Sequence, residues 1–120
     1  MEHHPGFLKL VAEVKPRVTE VDNRTAAGLA QNGGAVLIDV REESEWQAAH
    51  ATSAKYLGRG ILERDIEKLV PDPNTPIICY CGGGFRSALA VDNLQKMGYT
   101  NVRSMLGGFT GWKEAGLPTV

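Results

Sequence analysis

Short apolar runs alternate along the chain with stretches whose apolar residues recur at helical spacing. Two runs, Ala35-Val36-Leu37-Ile38-Asp39-Val40 and Ile77-Ile78-Cys79-Tyr80, are apolar on both sides of an extended backbone. Parallel strands buried on both faces have that pattern. With three shorter runs they predict strands at 18–21, 35–40, 54–57, 77–80 and 102–105. Helices are predicted at 6–14, 24–31, 44–48, 61–69, 86–97 and 109–115. In the helix at 86–97, Ala90, Val91, Leu94 and Met97 share one face. Asp92, Asn93, Gln95 and Lys96 fill the other, and Gly98 supplies a stop. Ser44 and Gln47 have capping-box spacing and open the short helix that carries Trp46. Strand–helix alternation implies an α/β sheet covered on both faces. In such sheets ligands sit beyond the carboxyl ends of the strands.

Composition narrows the function classes. The chain has 120 residues, 42% of them hydrophobic and 22% charged, with a net charge of -1. This near-neutral balance argues against a nucleic-acid or anionic-membrane partner, while leaving room for a local site for a small anion. No apolar run approaches the roughly 20 residues that span a bilayer. The polar N-terminus is unlike a signal-peptide core, so the expected location is cytoplasmic. The breaks at 32–34, 71–76, 98 and 107–108 are too short for interdomain linkers. One domain is therefore expected over 1–120, with a helical extension at 1–17, packed against the sheet, and a core at 18–118. His3 and His4 read as part of a mobile end. Cys79 and Cys81 have no second cysteine pair, and a structural zinc site wants four Cys or His ligands, so no metal is expected.

Chemistry concentrates where a buried strand ends, in Cys81-Gly82-Gly83-Gly84-Phe85-Arg86-Ser87. A thiol there lies near the partial positive end of the following helix, and with Arg86 beside it the nucleophilic thiolate is favoured. The three glycines let the loop curl and aim several backbone N–H groups at one point, an anion nest. Arg86 adds forked donors suited to a sulfonate-like or phosphate-like group. A glycine-rich turn around a small buried thiol is the plain alternative. Triple glycine, the helix-start arginine and the place at a strand end together favour a reactive site.

These segments carry a resemblance. Leu37 through Trp46, with Asp39 and Arg41, looks like the Asp-x-Arg strand-end signature of the rhodanese family. The loop from Cys81 to Arg86 resembles that family's six-residue active-site loop, and Ser87-Ala88-Leu89-Ala90 the helix after it. The stretches from Gly98 to Trp112 and from Gly116 to Pro118 are similar to its C-terminal part. The match runs over about 18–118. It implies a rhodanese-like three-layer fold, with a central parallel sheet of about five strands and helices on both faces. It also implies a sulfurtransferase in which Cys81 takes a sulfane sulfur from thiosulfate or a persulfide donor. The resulting persulfide passes its outer sulfur to a thiol or cyanide, without a cofactor. Gly82, Gly83, Gly84, Phe85 and Arg86 would bind the substrate. A sulfur relay serving an acceptor protein and a non-catalytic interaction module are the alternatives. Related phosphatases and arsenate reductases place five residues between Cys and Arg, whereas four separate Cys81 from Arg86. That narrower loop favours sulfur.

The remaining candidates support the loop. Asp39 and Arg41 read as a buttressing pair rather than substrate contacts, as the resemblance also implies, with Ser87 as further structural support. Arg59, just past a strand end, reads either as a second positive charge over the site or as a solvated loop arginine. Glu63 and Arg64 read as a helix's solvent face. His50 reads as a structural hydrogen-bonder rather than a general base, Cys79 as a core thiol rather than a sulfur relay, and Phe85 as lining the entrance. Trp46 and Trp112 read as packing residues.

Overall fold

The strand Ile77–Tyr80 (β4) runs through the middle of a five-stranded sheet in the computed structural model, which describes residues 2–120. The other strands are Thr19–Val21 (β1), Val36–Asp39 (β2), Lys55–Tyr56 (β3) and Val102–Met105 (β5). All pairings are parallel, in the order β1-β5-β4-β2-β3. Every predicted strand is present.

Alternation along β4 builds a core on each side. Ile77 and Cys79, with Ile38 and Val40, pack with Leu62 and Ile66 of helix Leu62–Leu69 (α4). The same core takes Ala90, Val91 and Leu94 of helix Phe85–Lys96 (α5). Ile78 and Tyr80, with Leu37, pack with Ala26 of helix Asn23–Gln31 (α2) and with Phe109 and Trp112 of helix Gly108–Glu114 (α6). Burial on both faces explains why β2 and β4 read as continuous apolar runs. Asp22 caps α2, accepting from the Thr25 N–H at 2.8 Å.

Four local expectations are corrected. Helix Pro5–Val14 (α1) packs on α5, not on the sheet, with Val11 and Val14 buried. Asp92 is buried rather than solvent-facing: Arg17, in the 3-10 turn after α1, donates to both its carboxylate oxygens at 3.0 Å. Met97, expected on the buried face, is 38% exposed. Helix Glu43–Ala48 (α3) is capped two residues earlier than Ser44 and Gln47 suggest, because Glu42 takes the extended conformation of an N-cap. The Glu45 carboxylate accepts from the Glu42 N–H at 3.1 Å. No helix among the described residues is long and apolar enough to cross a membrane.

Candidate active site

β4 delivers Cys81 to the carboxyl edge of the sheet, and the next residues turn directly into α5. Gly84 is the N-cap of α5 at a φ of 101°, a left-handed conformation that disfavours any side chain. The first four N–H groups of a helix lack intrahelical partners. Here two of these N-terminal donors point at the cysteine: the N–H groups of Gly84 and Ser87 lie 3.2 and 3.3 Å from Sγ. The thiol lies 3.6 Å from Ser87 Oγ as a donor to it, and Ser87 shares a 2.7 Å hydrogen bond with Ser104 of β5. Ser87 and Ser104 are fully buried, so this chain has no competing water contact to loosen it.

The loop's carbonyls face the other way. Those of Cys81 and Gly82 accept from the N–H groups of Phe109 and Thr110 at the start of α6, at 2.7 and 3.1 Å. This clamp needs Gly108: a Cβ there would stand 2.5 Å from the Cys81 carbonyl oxygen. Turning the carbonyls toward α6 leaves the N–H face of the loop toward the sulfur.

Above Cys81 opens a cavity of about 870 Å³. Cys81, Gly82 and Gly83 form its floor, Glu45 and Arg86 one side, and Thr110 and Glu114 of α6 another. Phe85 lines it as expected, joined by His3 and Phe7 from the N-terminus. The His3 and Phe85 rings are 4.5 Å apart, His3 and Phe7 5.2 Å, and Phe7 and Phe85 6.2 Å. The N-terminus is thus not a free end at His3, but part of the cavity wall. Phe7 and His3 lie 78 and 82 positions from Phe85 and give no local signal of meeting it, so neither is marked in the sequence as a wall of this cavity.

Arg86 reaches the cavity already paired. Its guanidinium donates to both oxygens of Glu45, at 2.8 and 3.2 Å. The hydrogen bond to Arg86 holds the Glu45 carboxyl below its ordinary range, and Glu45, with the Cys81 sulfur adding, raises Arg86. Glu45 was missed as a site residue; its place one position before Trp46 in the Asp-x-Arg segment was the available hint.

Asp39 and Arg41 lie beneath the site rather than in it. Asp39 is fully buried and takes three N–H groups of Arg41, the backbone's and two of the guanidinium's, the shortest contact being 2.8 Å. Arg41 also donates to the Ala49 carbonyl at 2.7 Å and lies 4.3 Å over the Phe109 ring. The pair therefore ties the end of β2 to the segment after α3 and to α6. Arg59 is not among the cavity-lining residues: it donates to Glu63 at 2.6 Å, and Glu63 also accepts from Asn93 of α5. Glu63 is accordingly a bridge to α5 rather than only a solvent face. His50 stacks on Trp46 at 3.4 Å and bonds its carbonyl through Nδ1, away from the sulfur. Trp112 is buried in the core. Cys79 is sealed in the core below Cys81, and burial pushes its thiol up to about 12.

The family model of the Rhodanese-like domain matches residues 20–115. The chain belongs to the rhodanese-like family. Among its rhodanese relatives is thiosulfate sulfurtransferase GlpE of Actinobacillus pleuropneumoniae serotype 5b, 32% identical over 83% of this chain and 91% of the relative. GlpE of Haemophilus influenzae (strain PittEE) is 38% identical over 71% of this chain and 79% of the relative. The fold is similar to that of the polysulfide-sulfur transferase homodimer from Wolinella succinogenes. There the TM-score is 0.81 at 29% identity, covering 96% of this chain and 87% of that one. It is also similar to a Rhodopseudomonas palustris protein described as a possible tyrosine phosphatase. In that case the TM-score is 0.83 at 28% identity, covering 98% and 96%. The three-layer α/β fold, with its five-stranded parallel sheet, is the rhodanese fold that the resemblance implies.

Proposed function

We propose that this rhodanese-like protein is a sulfurtransferase that carries a sulfane sulfur on Cys81 as a persulfide. The observation that carries the reading is the position of Cys81 Sγ, on the cavity floor and facing two N–H donors from the start of α5. In the first step the Cys81 thiolate attacks the outer sulfur of the donor. A sulfur–sulfur bond forms to Sγ, the donor's own sulfur–sulfur bond breaks, and the leaving group keeps that electron pair: sulfite from thiosulfate, a thiolate from an organic persulfide. In the second step a thiolate or cyanide attacks the outer sulfur, and Cys81 leaves as the thiolate. The N–H groups of Phe85 and Arg86 are the remaining donors of the helix start and can bind the terminal sulfur of the persulfide. Ser87, held by Ser104, positions Sγ without touching the donor.

The names of the GlpE relatives and of the Wolinella protein support this reading on the side of substrate class. The Rhodopseudomonas neighbour raises the phosphatase alternative, against which stands the four-residue spacing from Cys81 to Arg86. Thiocyanate formation from a sulfane donor and cyanide tests the proposal. It is expected in the wild type and abolished in Cys81→Ser. Hydrolysis of an aryl phosphate without any thiocyanate would support the alternative.

A further inference from the structure

The cavity above Cys81 differs in size and in charge from what a small dianion requires. At about 870 Å³ it lies toward the upper end of the range for organic ligands, roughly 300–1,000 Å³. Thiosulfate occupies only a small part of such a space. The one arginine lining it is already matched by Glu45, and Glu114 adds a further carboxylate to the rim. Among the described residues, no surplus positive charge from arginine or lysine lines the cavity to balance a doubly charged donor. In its place stand three rings, His3, Phe7 and Phe85, mutually 4.5–6.2 Å apart. Two of the three come from the N-terminal segment, which precedes the residues 20–115 that the family model matches.

From these features we infer that the N-terminal helix sets donor specificity, and that the preferred donor carries its sulfane sulfur on an aromatic organic group with a single negative charge. The inference rests on the sulfurtransferase reading and extends it to a substrate class. Aromatic rings associate in tilted arrangements at centroid separations of roughly 4.5–7 Å. A donor ring in contact with Phe7 and Phe85 leaves its sulfur end directed to the floor. With an aryl thiosulfonate the balance is simple. The Cys81 thiolate bonds to the terminal sulfur, the bond from that sulfur to the sulfonyl sulfur breaks, and the aryl sulfinate leaves with the electron pair. Each side carries two negative charges.

The test compares kcat/KM for benzenethiosulfonate and for thiosulfate, with cyanide as the common acceptor. Wild type is expected to favour the aryl donor by about tenfold or more, the scale of one or two aromatic contacts. Phe7→Ala should lower the ratio of the two values about tenfold, His3→Ala by a smaller factor in the same direction, and Phe7→Tyr should restore it. Leu10→Ala, on the same helix at a residue 54% exposed and outside the cavity, should leave the ratio unchanged. Neither His3 nor Phe7 belongs to the buried core, so these variants are expected to fold. An unchanged ratio in Phe7→Ala, with both donors used, would overturn the inference alone. No transfer from either donor by the wild type would overturn the sulfurtransferase reading and the inference with it.

Discussion

Asp39–Arg41 and Glu45–Arg86 join the same two functional groups, each carboxylate taking more than one N–H of its arginine. Their surroundings separate them. The first pair is enclosed: its side chains are 0% and 6% exposed, and Arg41 spends its remaining reach on a carbonyl and a ring. The second stands at the cavity, 36% and 32% exposed, where water and a substrate can replace either partner. Breaking an enclosed pair strands a charge in a medium that cannot solvate it. Breaking an exposed one mainly changes the charge that an incoming molecule meets. One pair should act on stability, the other on donor choice.

The largest effect on stability is expected from Arg41→Ala, which leaves the Asp39 carboxylate buried and alone. Chemical denaturation should show a loss of about 3–5 kcal/mol, partly recovered by adding Asp39→Asn. A loss within the range of surface pairs would erase the contrast. Glu45→Gln should cost about 1 kcal/mol or less by the same measurement. Its effect should fall on catalysis instead. Freeing Arg86 should raise kcat/KM for thiosulfate about fivefold, with a smaller change for a donor of one charge. Arg86→Ala should act in the opposite sense, lowering thiosulfate use more than use of a neutral persulfide donor. Equal effects on both donors would remove charge recognition from Arg86.

Asp92–Arg17 is an intermediate case, with a buried carboxylate and an arginine 53% exposed. Arg17 foremost, then Lys96, holds the Asp92 carboxyl below its ordinary range. A carboxyl lowered on folding contributes stability above its unfolded pKa and loses it as pH falls through the folded one. Asp92→Asn should therefore cost about 1–2 kcal/mol at neutral pH, with the gap to wild type closing below about pH 4. A gap independent of pH would show that the carboxylate charge is not what holds α1 to α5. The smallest effect is expected at Cys79. Its thiol, pushed up to about 12, should resist alkylation in the native protein at pH 8, and Cys79→Ala should retain sulfur transfer.

What the sequence made legible follows the range of the interactions involved. The strands were readable because short apolar runs bounded by turn residues are local properties, continuous in β2 and β4 where both faces are buried. The reactive loop was readable because Cys81, the glycines and Arg86 act within one turn of chain. Glu45 was not, since its partner Arg86 lies 41 positions away and either residue alone is an ordinary charged side chain. His3 and Phe7 reach Phe85 only once α1 has docked on α5. Asp92 looked solvent-facing because the helix pattern of α5 says nothing of Arg17, 75 positions earlier. Arg59, which the sequence left open between two readings, shows the converse limit. A cation placed near the site by strand-end logic is taken instead by Glu63, one helical turn further on.

Whether Cys81 holds the transferred sulfur is read from intact mass after exposure to a sulfane donor. A gain of one sulfur atom is expected in the wild type and in Cys79→Ser, reversed by cyanide and absent from Cys81→Ser. A gain that survives in Cys81→Ser, or no gain in the wild type with either thiosulfate or an aryl thiosulfonate, would contradict Cys81 as the carrier.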